Sequence, residues 1–124
     1  MWDGFNKRKF PRLDLRCELT LKNQQSGAEV LRTHTQNVGA GGLCIHLDHP
    51  LERFSMVSLR LELDPDLPWV ECLGKVVWSV PSREAATQKH YFDTGIEFAG
   101  LEAAHQDLIR RYVESRVEAE GKVG

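Results

Sequence analysis

The chain has 124 residues, enough for one domain with a single core, and its 41% hydrophobic and 27% charged residues are typical of a globular protein. The formal net charge of -2 gives no overall attraction to nucleic acid or to an anionic membrane, so an anion site would have to be local. No apolar run is long enough for a transmembrane helix, and no apolar segment follows the basic N-terminus as in a signal peptide.

The first predicted element is a strand over residues 13–22, "LDLRCELTLK". Its residues alternate strictly between apolar and polar, which indicates a strand with one buried face. The inward set is Leu13, Leu15, Cys17, Leu19 and Leu21. "NQQSG" has turn chemistry. A less regular strand is predicted from Val30 to about Gln36.

The same period-2 pattern predicts four more strands after the glycine-rich "NVGAGG". They are "LCIHL", "VSLRLEL", "VECLGKVVWSV" and "YFDTGIEF". Their predicted inward residues are Leu43, Ile45, Leu47, Val57, Leu59, Leu61, Leu63, Val70, Cys72, Val76, Trp78, Val80, Phe92, Ile96 and Phe98. Trp69 and Trp78 are expected mainly in the core, with an interface as the alternative.

From about Leu101 the apolar spacing becomes helical. The predicted buried stripe is Leu108, Ile109, Tyr112, Val113 and Val117. Six strands followed by one helix predict a mainly β fold: a six-stranded antiparallel β-barrel with a C-terminal α-helix. The pattern alone leaves a sandwich open. We expect a flexible arm over residues 1–12, the barrel and helix over 13–118, and a frayed tail over 119–124.

The three cysteines, Cys17, Cys44 and Cys72, are odd in number and widely spaced, without a C-x-x-C motif. This pattern favours reduced, buried thiols in a cytoplasmic protein over a disulfide framework or a zinc site.

Basic residues crowd together in "NKRKFPRLDLR". They are Lys7, Arg8, Lys9, Arg12 and Arg16. Arginine offers a planar set of donors that fits phosphate oxygens and the guanine edge, so Arg8 and Arg12 could hold one anion from two directions. The alternative is a solvated, flexible arm.

The turn "NVGAGG" is the second candidate site. The amides of Gly39, Gly41 and Gly42 could approach a phosphate or a base, and the Asn37 side chain offers a donor and an acceptor. The sequence is not a P-loop. The alternative is a tight connection between two strands.

Other chemistry finds little support in the sequence. His46, Asp48 and His49 are close together, but the spacing supplies no further ligands for a metal. No nucleophile elbow, H-E-x-x-H motif or recognisable carboxylate pair is present, so we expect neither a metal, a cofactor nor an enzyme. A barrel that binds single-stranded nucleic acid would need aromatic platforms along a basic groove, and the outward strand positions mix acids with bases.

Together, the R-x-x-x-R segment, the N-x-x-x-x-G turn leading into "GGLCI", and then "GKVVW" and "TGIEF" resemble the PilZ domain family, in order, over roughly residues 7–113. The resemblance implies a six-stranded barrel with a C-terminal helix in a bacterial protein whose usual ligand is cyclic di-GMP. We further expect signalling to a protein partner; the charge pattern and the lack of a long apolar run predict neither DNA or RNA binding nor membrane insertion.

The resemblance also assigns roles to residues. Arg8 and Arg12 would grip the phosphates and the Hoogsteen edges of the guanines, Asn37 would hydrogen-bond a guanine, and Gly42 would close the motif. Lys7 and Lys9 belong to the same arm. The family's serine position is Gly39 here, which predicts weakened binding and leaves open an adaptor that no longer binds nucleotide.

Overall fold

The computed structural model describes residues 12–23 and 30–123, with the side chains of 14–22 and 31–118. This part of the chain contains seven strands and one helix. The elements are β1 (Arg12–Leu13), β2 (Glu18–Asn23), β3 (Val30–Gly39), β4 (Gly42–Leu47), β5 (Met56–Glu62), β6 (Val70–Arg83), β7 (His90–Ala99) and α1 (Ala103–Val123). Within these ranges, no helix is both long and apolar enough to cross a membrane.

The strands close into an antiparallel barrel. The order β3-β2-β5-β6-β7-β4 returns to β3 through the pairing of β3 with β4. The two residues of β1 pair with the same edge of β3 as β2 does. β1 therefore continues β2 and does not add a seventh strand to the barrel. The predicted six-stranded barrel with a C-terminal helix is confirmed, and the sandwich is excluded because the sheet closes on itself.

The barrel interior is filled by the inward-facing residues of the strands. Leu19, Leu43, Ile45, Leu61, Val76 and Ile96 are at most 1% exposed. The helix adds Ile109 and Val113, both fully buried, and packs against β1 and β3. Burial of such apolar side chains is the main stabilising term of the fold.

The predicted strand over residues 13–22 is wrong as a continuous element. Residues 14–17 separate β1 from β2, although Leu15 and Cys17 still face the core. The interruption occurs because the Thr35 hydroxyl bonds to Leu15 and Cys17 in place of a regular backbone ladder. Strand β3 extends past the predicted end near Gln36 to Gly39.

Three predicted core positions are exposed instead. Val80 is 44% exposed because a bulge between Val76 and Trp78 inserts Val77 and reverses the alternation that follows. Trp69 is 45% exposed, with the Arg60 guanidinium 3.4 Å from its ring centroid. Val117 is 41% exposed, one turn beyond the last helical residue that contacts the core. The helix reaches Val123, while fraying of residues 119–124 stays a prediction.

Burial of Cys17 predicts a stability change at alkaline pH. Desolvation raises the pKa of its thiol from 9.0 to about 11, although the hydrogen bond with Thr35 acts in the opposite direction. Between these pH values the folded state keeps a thiol proton that the unfolded chain has lost. The contribution of the protonated Cys17 to the free energy of unfolding is therefore complete below pH 9.0 and falls as the pH rises to about 11. We expect the free energy of unfolding in urea to fall more steeply across this range in the wild type than in Cys17→Ala. An equal pH dependence of the free energy of unfolding in the two proteins would contradict the assignment of this change to Cys17. Cys72 cannot cause a difference, since it titrates in both proteins.

Candidate functional site

The glycine-rich turn is a short hairpin fixed against β7. Strand β3 ends at Gly39 and β4 begins at Gly42, so only Ala40 and Gly41 connect them. The Phe98 N–H donates to the Gly41 carbonyl at 3.0 Å. A Cβ at Gly42 would lie 2.4 Å from the Ile96 carbonyl oxygen, so the close approach of β7 requires glycine there.

Strand β1 brings Arg12 of the basic segment to this hairpin. The Cα of Arg12 is paired with Gly39, and Leu13 is paired with Val38. Arg12 therefore belongs to a strand, and not to the flexible arm predicted over residues 1–12. Two motifs far apart in the sequence meet at one end of β3. Of the other predicted ligand residues, Lys7, Arg8 and Lys9 lie outside the described residues.

Asn37 lies between these two motifs. Its Cα is paired with Cys44, and its Oδ1 atom is buried without a hydrogen-bond partner among the described residues. A buried acceptor without a donor costs free energy, so such atoms usually have a functional or structural reason. Here the acceptor lies two residues before Gly39, where a ligand with N–H groups could supply the donor.

Arg16, the last residue of the basic segment, is engaged elsewhere. Its Nη2 lies 3.3 Å from His34 Nδ1, and His34 Nε2 lies 3.2 Å from Glu18 Oε1. When the imidazole carries its proton on Nε2, His34 accepts from Arg16 and donates to Glu18. The arginine therefore has a partner on the exposed surface of β2 and β3, which makes it a suitable control for Arg12.

The histidines and Asp48 do not converge on one point. His49 Nδ1 contacts the Asp48 carboxylate at 2.7 Å, and this hydrogen bond lowers the pKa of Asp48. His46 instead stacks on Tyr91 with ring centroids 4.0 Å apart and lies 3.9 Å from Asp93. In the part of the chain that the structure describes, no group of three potential ligands could hold a metal ion.

Sequence reasoning missed Thr35, which lies in the core directly before this site. A signal was present: Leu31 and Val38, the apolar residues that β3 turns to the core, are seven positions apart, an odd spacing that strict alternation cannot place on one face. The contact between Phe98 and Gly41 had no such signal, because it depends on how β7 meets the hairpin.

A family model for the PilZ domain matches residues 6–115. The chain belongs to the PilZ domain family. Members of this family are cyclic di-GMP receptors or adaptors, and the closed barrel with its C-terminal helix agrees with the membership. No curated protein matches the chain significantly.

Solved PilZ structures share the fold at low sequence identity. The PilZ domain of Escherichia coli YcgR with c-di-GMP has a TM-score of 0.74 and 11% identity, over 94% of this chain and 97% of that one. MotI (DgrA), the inhibitor of motility of Bacillus subtilis, has a TM-score of 0.77 and 17% identity, over 91% of this chain and 52% of that one. The complex of K. pneumoniae MrkH with c-di-GMP has a TM-score of 0.76 and 14% identity, over 95% and 56%. The chain thus spans about half the length of MotI and MrkH.

Proposed function

We propose that this PilZ domain binds cyclic di-GMP beside the β3–β4 hairpin and passes the signal to a protein partner. The observation that carries the proposal is the pairing of Arg12, the last residue of R-x-x-x-R, with Gly39 of the glycine-rich turn. The unpartnered Oδ1 of Asn37 lies between them and supports the same location.

In this site Arg8 and Arg12 bind the phosphates and the guanine edges, and Lys7 and Lys9 add positive charge. Charge-assisted, bidentate hydrogen bonds are the strongest of these contacts. Asn37 accepts from a guanine N–H through its buried Oδ1, while Gly39, Gly41 and Gly42 keep the hairpin narrow enough for the ligand to approach.

Ligand binding would also order the arm that precedes Arg12, because a dianion neutralises its crowded cations. Ordering a segment costs conformational entropy, which the arginine contacts must exceed. The resulting change in surface is what a partner would recognise. In this proposal the output lies in a second protein in the cytoplasm, and the domain itself performs no chemistry.

Isothermal titration of the wild-type protein with cyclic di-GMP tests this function and gives the stoichiometry. We expect saturable heat with cyclic di-GMP and much weaker binding of GMP at the same concentration, since GMP offers one guanine and one phosphate to a site with two arginines. Absence of binding at high concentrations of cyclic di-GMP would overturn the receptor proposal.

Gly39 offers a gain-of-affinity prediction. We expect Gly39→Ser to bind cyclic di-GMP several-fold more tightly than the wild type, because one neutral hydrogen bond contributes roughly 0.5–1.5 kcal/mol. Gly39→Ala is the matched control, since it adds a Cβ without a hydroxyl. If serine and alanine have the same affinity, no hydroxyl contact is made at this position.

The second candidate function is an adaptor that no longer binds nucleotide and acts by protein contact alone. The observation that favours it is glycine in place of the motif's serine at position 39. In that case replacing Arg8 and Arg12 by alanine would leave partner binding unchanged, whereas a receptor would lose its ligand-dependent binding.

A further inference from the structure

Thr35 occupies an unusual place in the barrel, at the point where β1 separates from β2. It is 1% exposed. Its backbone N–H donates to the Cys17 carbonyl at 2.9 Å. Its hydroxyl accepts from the Cys17 N–H at 2.8 Å and donates to the Leu15 carbonyl at 2.5 Å.

These contacts replace part of the regular ladder. In a hydrogen-bonded antiparallel pair the two residues exchange both N–H···O=C bonds. Here the Thr35 hydroxyl takes the place of the Thr35 carbonyl as the acceptor for Cys17, and it also satisfies the Leu15 carbonyl. The side chain therefore substitutes for backbone at a buried junction, where unpaired groups would be costly.

The register changes by one residue across this junction. On one side Glu18 is paired with His34, and on the other Leu13 is paired with Val38. The pairing of β3 with β4 shifts at the same point, between Thr35 and Asn37. A bulge at Gln36 explains the second shift, because it sets two residues of β3 against one of β4.

The bulge decides which way Asn37 faces. Without it, alternation would place Asn37 on the same side of β3 as buried Thr35. With it, Val38 takes the inward position, and Asn37 is paired with Cys44 next to the hairpin. The register of β1 changes separately, because four residues, 14–17, lie opposite three residues of β3, 35–37, and this change sets Arg12 against Gly39.

We propose that Thr35 is a positioning residue of the ligand site: its hydroxyl, bonded to Leu15 and Cys17 where both register shifts begin, aligns Arg12 with the hairpin and supports the bulge that presents Asn37. The inference rests on the proposed cyclic di-GMP site, which Thr35 itself does not contact.

Three variants test it. Thr35→Val keeps the shape and removes the hydroxyl, and Thr35→Ser restores the hydroxyl. Thr94→Val is the matched control, because Thr94 is also fully buried in the barrel but its hydroxyl bonds only within β7, to the Phe92 carbonyl at 3.2 Å.

Two readouts separate this inference from the proposed function. Hydrogen exchange of the free protein, followed by NMR, should show faster exchange at Leu13, Cys17 and Val38 in Thr35→Val, with protection restored in Thr35→Ser and unchanged in Thr94→Val. Titration with cyclic di-GMP, at a temperature where all variants are folded, should show affinity lowered roughly tenfold or more only in Thr35→Val.

Wild-type protection and affinity in Thr35→Val would overturn the inference, as would an equal loss of affinity in Thr94→Val. If the wild type binds no cyclic di-GMP, the proposed function fails, and with it the link from Thr35 to a ligand. The exchange measurement would then still show whether the hydroxyl holds the bulge.

Discussion

Gly42→Ala is expected to destabilise the barrel by about 2–3 kcal/mol or more, because it overpacks a site that cannot relax. The added Cβ would lie 2.4 Å from the Ile96 carbonyl oxygen and 3.2 Å from the Glu97 Cα, which are backbone atoms of β7. Gly42 is itself paired with Glu97, so relief of the clash requires β4 and β7 to separate. Urea denaturation measures the loss, and we also expect a lower melting temperature.

Gly100→Ala is the control for this substitution. Gly100 has a φ of 73°, and nothing lies within 4 Å of the position of its Cβ. Alanine there costs only the backbone strain of a left-handed residue, roughly 1–2 kcal/mol, without any clash. Equal stability of Gly42→Ala and the wild type would mean that β4 and β7 are not as close as described.

Arg12→Ala is expected to weaken cyclic di-GMP binding by about a hundredfold. Hydrogen bonds to charged groups contribute roughly 1.5–3 kcal/mol each, and a bidentate contact loses two of them. Since ~1.4 kcal/mol corresponds to a tenfold change in affinity, the loss of two such bonds weakens binding by about a hundredfold or more. Arg8→Ala should have an effect of similar size. Arg12→Lys should be intermediate, because it keeps the charge and loses the planar fork.

Arg16→Ala is the matched control, because Arg16 belongs to the same basic segment but pairs with His34 on the exposed surface. Its affinity should equal that of the wild type within a factor of about two, apart from a small effect of net charge. Binding heats that are unchanged in Arg12→Ala, or reduced equally in Arg16→Ala, would mean that the site is elsewhere or that only overall charge matters.

The inward faces of the strands could be predicted from the sequence because period-2 alternation is a local property. Leu59 and Leu61 of β5 and Leu43 and Ile45 of β4 are buried as alternation requires. Alternation fails where a bulge inserts a residue, and nothing in the local pattern of β6 marks the insertion that exposes Val80.

The candidate site could be predicted in composition but not in geometry. The motif containing Arg8, Arg12, Asn37 and Gly42 is visible in the sequence, because the resemblance depends on residue types at fixed spacings. That Arg12 is paired with Gly39 could not be deduced, since the register of β1 is a long-range pairing with β3 that no local pattern specifies. Similarly, the exposed position of Trp69 could not be predicted from the local pattern, because its ring contacts Arg60 of the preceding strand β5.

The central claim is that the arginine segment and the glycine-rich turn form one cyclic di-GMP site. The most direct test is titration of the ¹⁵N-labelled protein with cyclic di-GMP, followed by NMR. We expect saturable shifts of the Asn37 side-chain amide and of the backbone amides of Leu13 and Gly39, with the exposed face around Leu73 unchanged. No shifts at high ligand concentration, or shifts confined to the β5–β6 face, would contradict the claim.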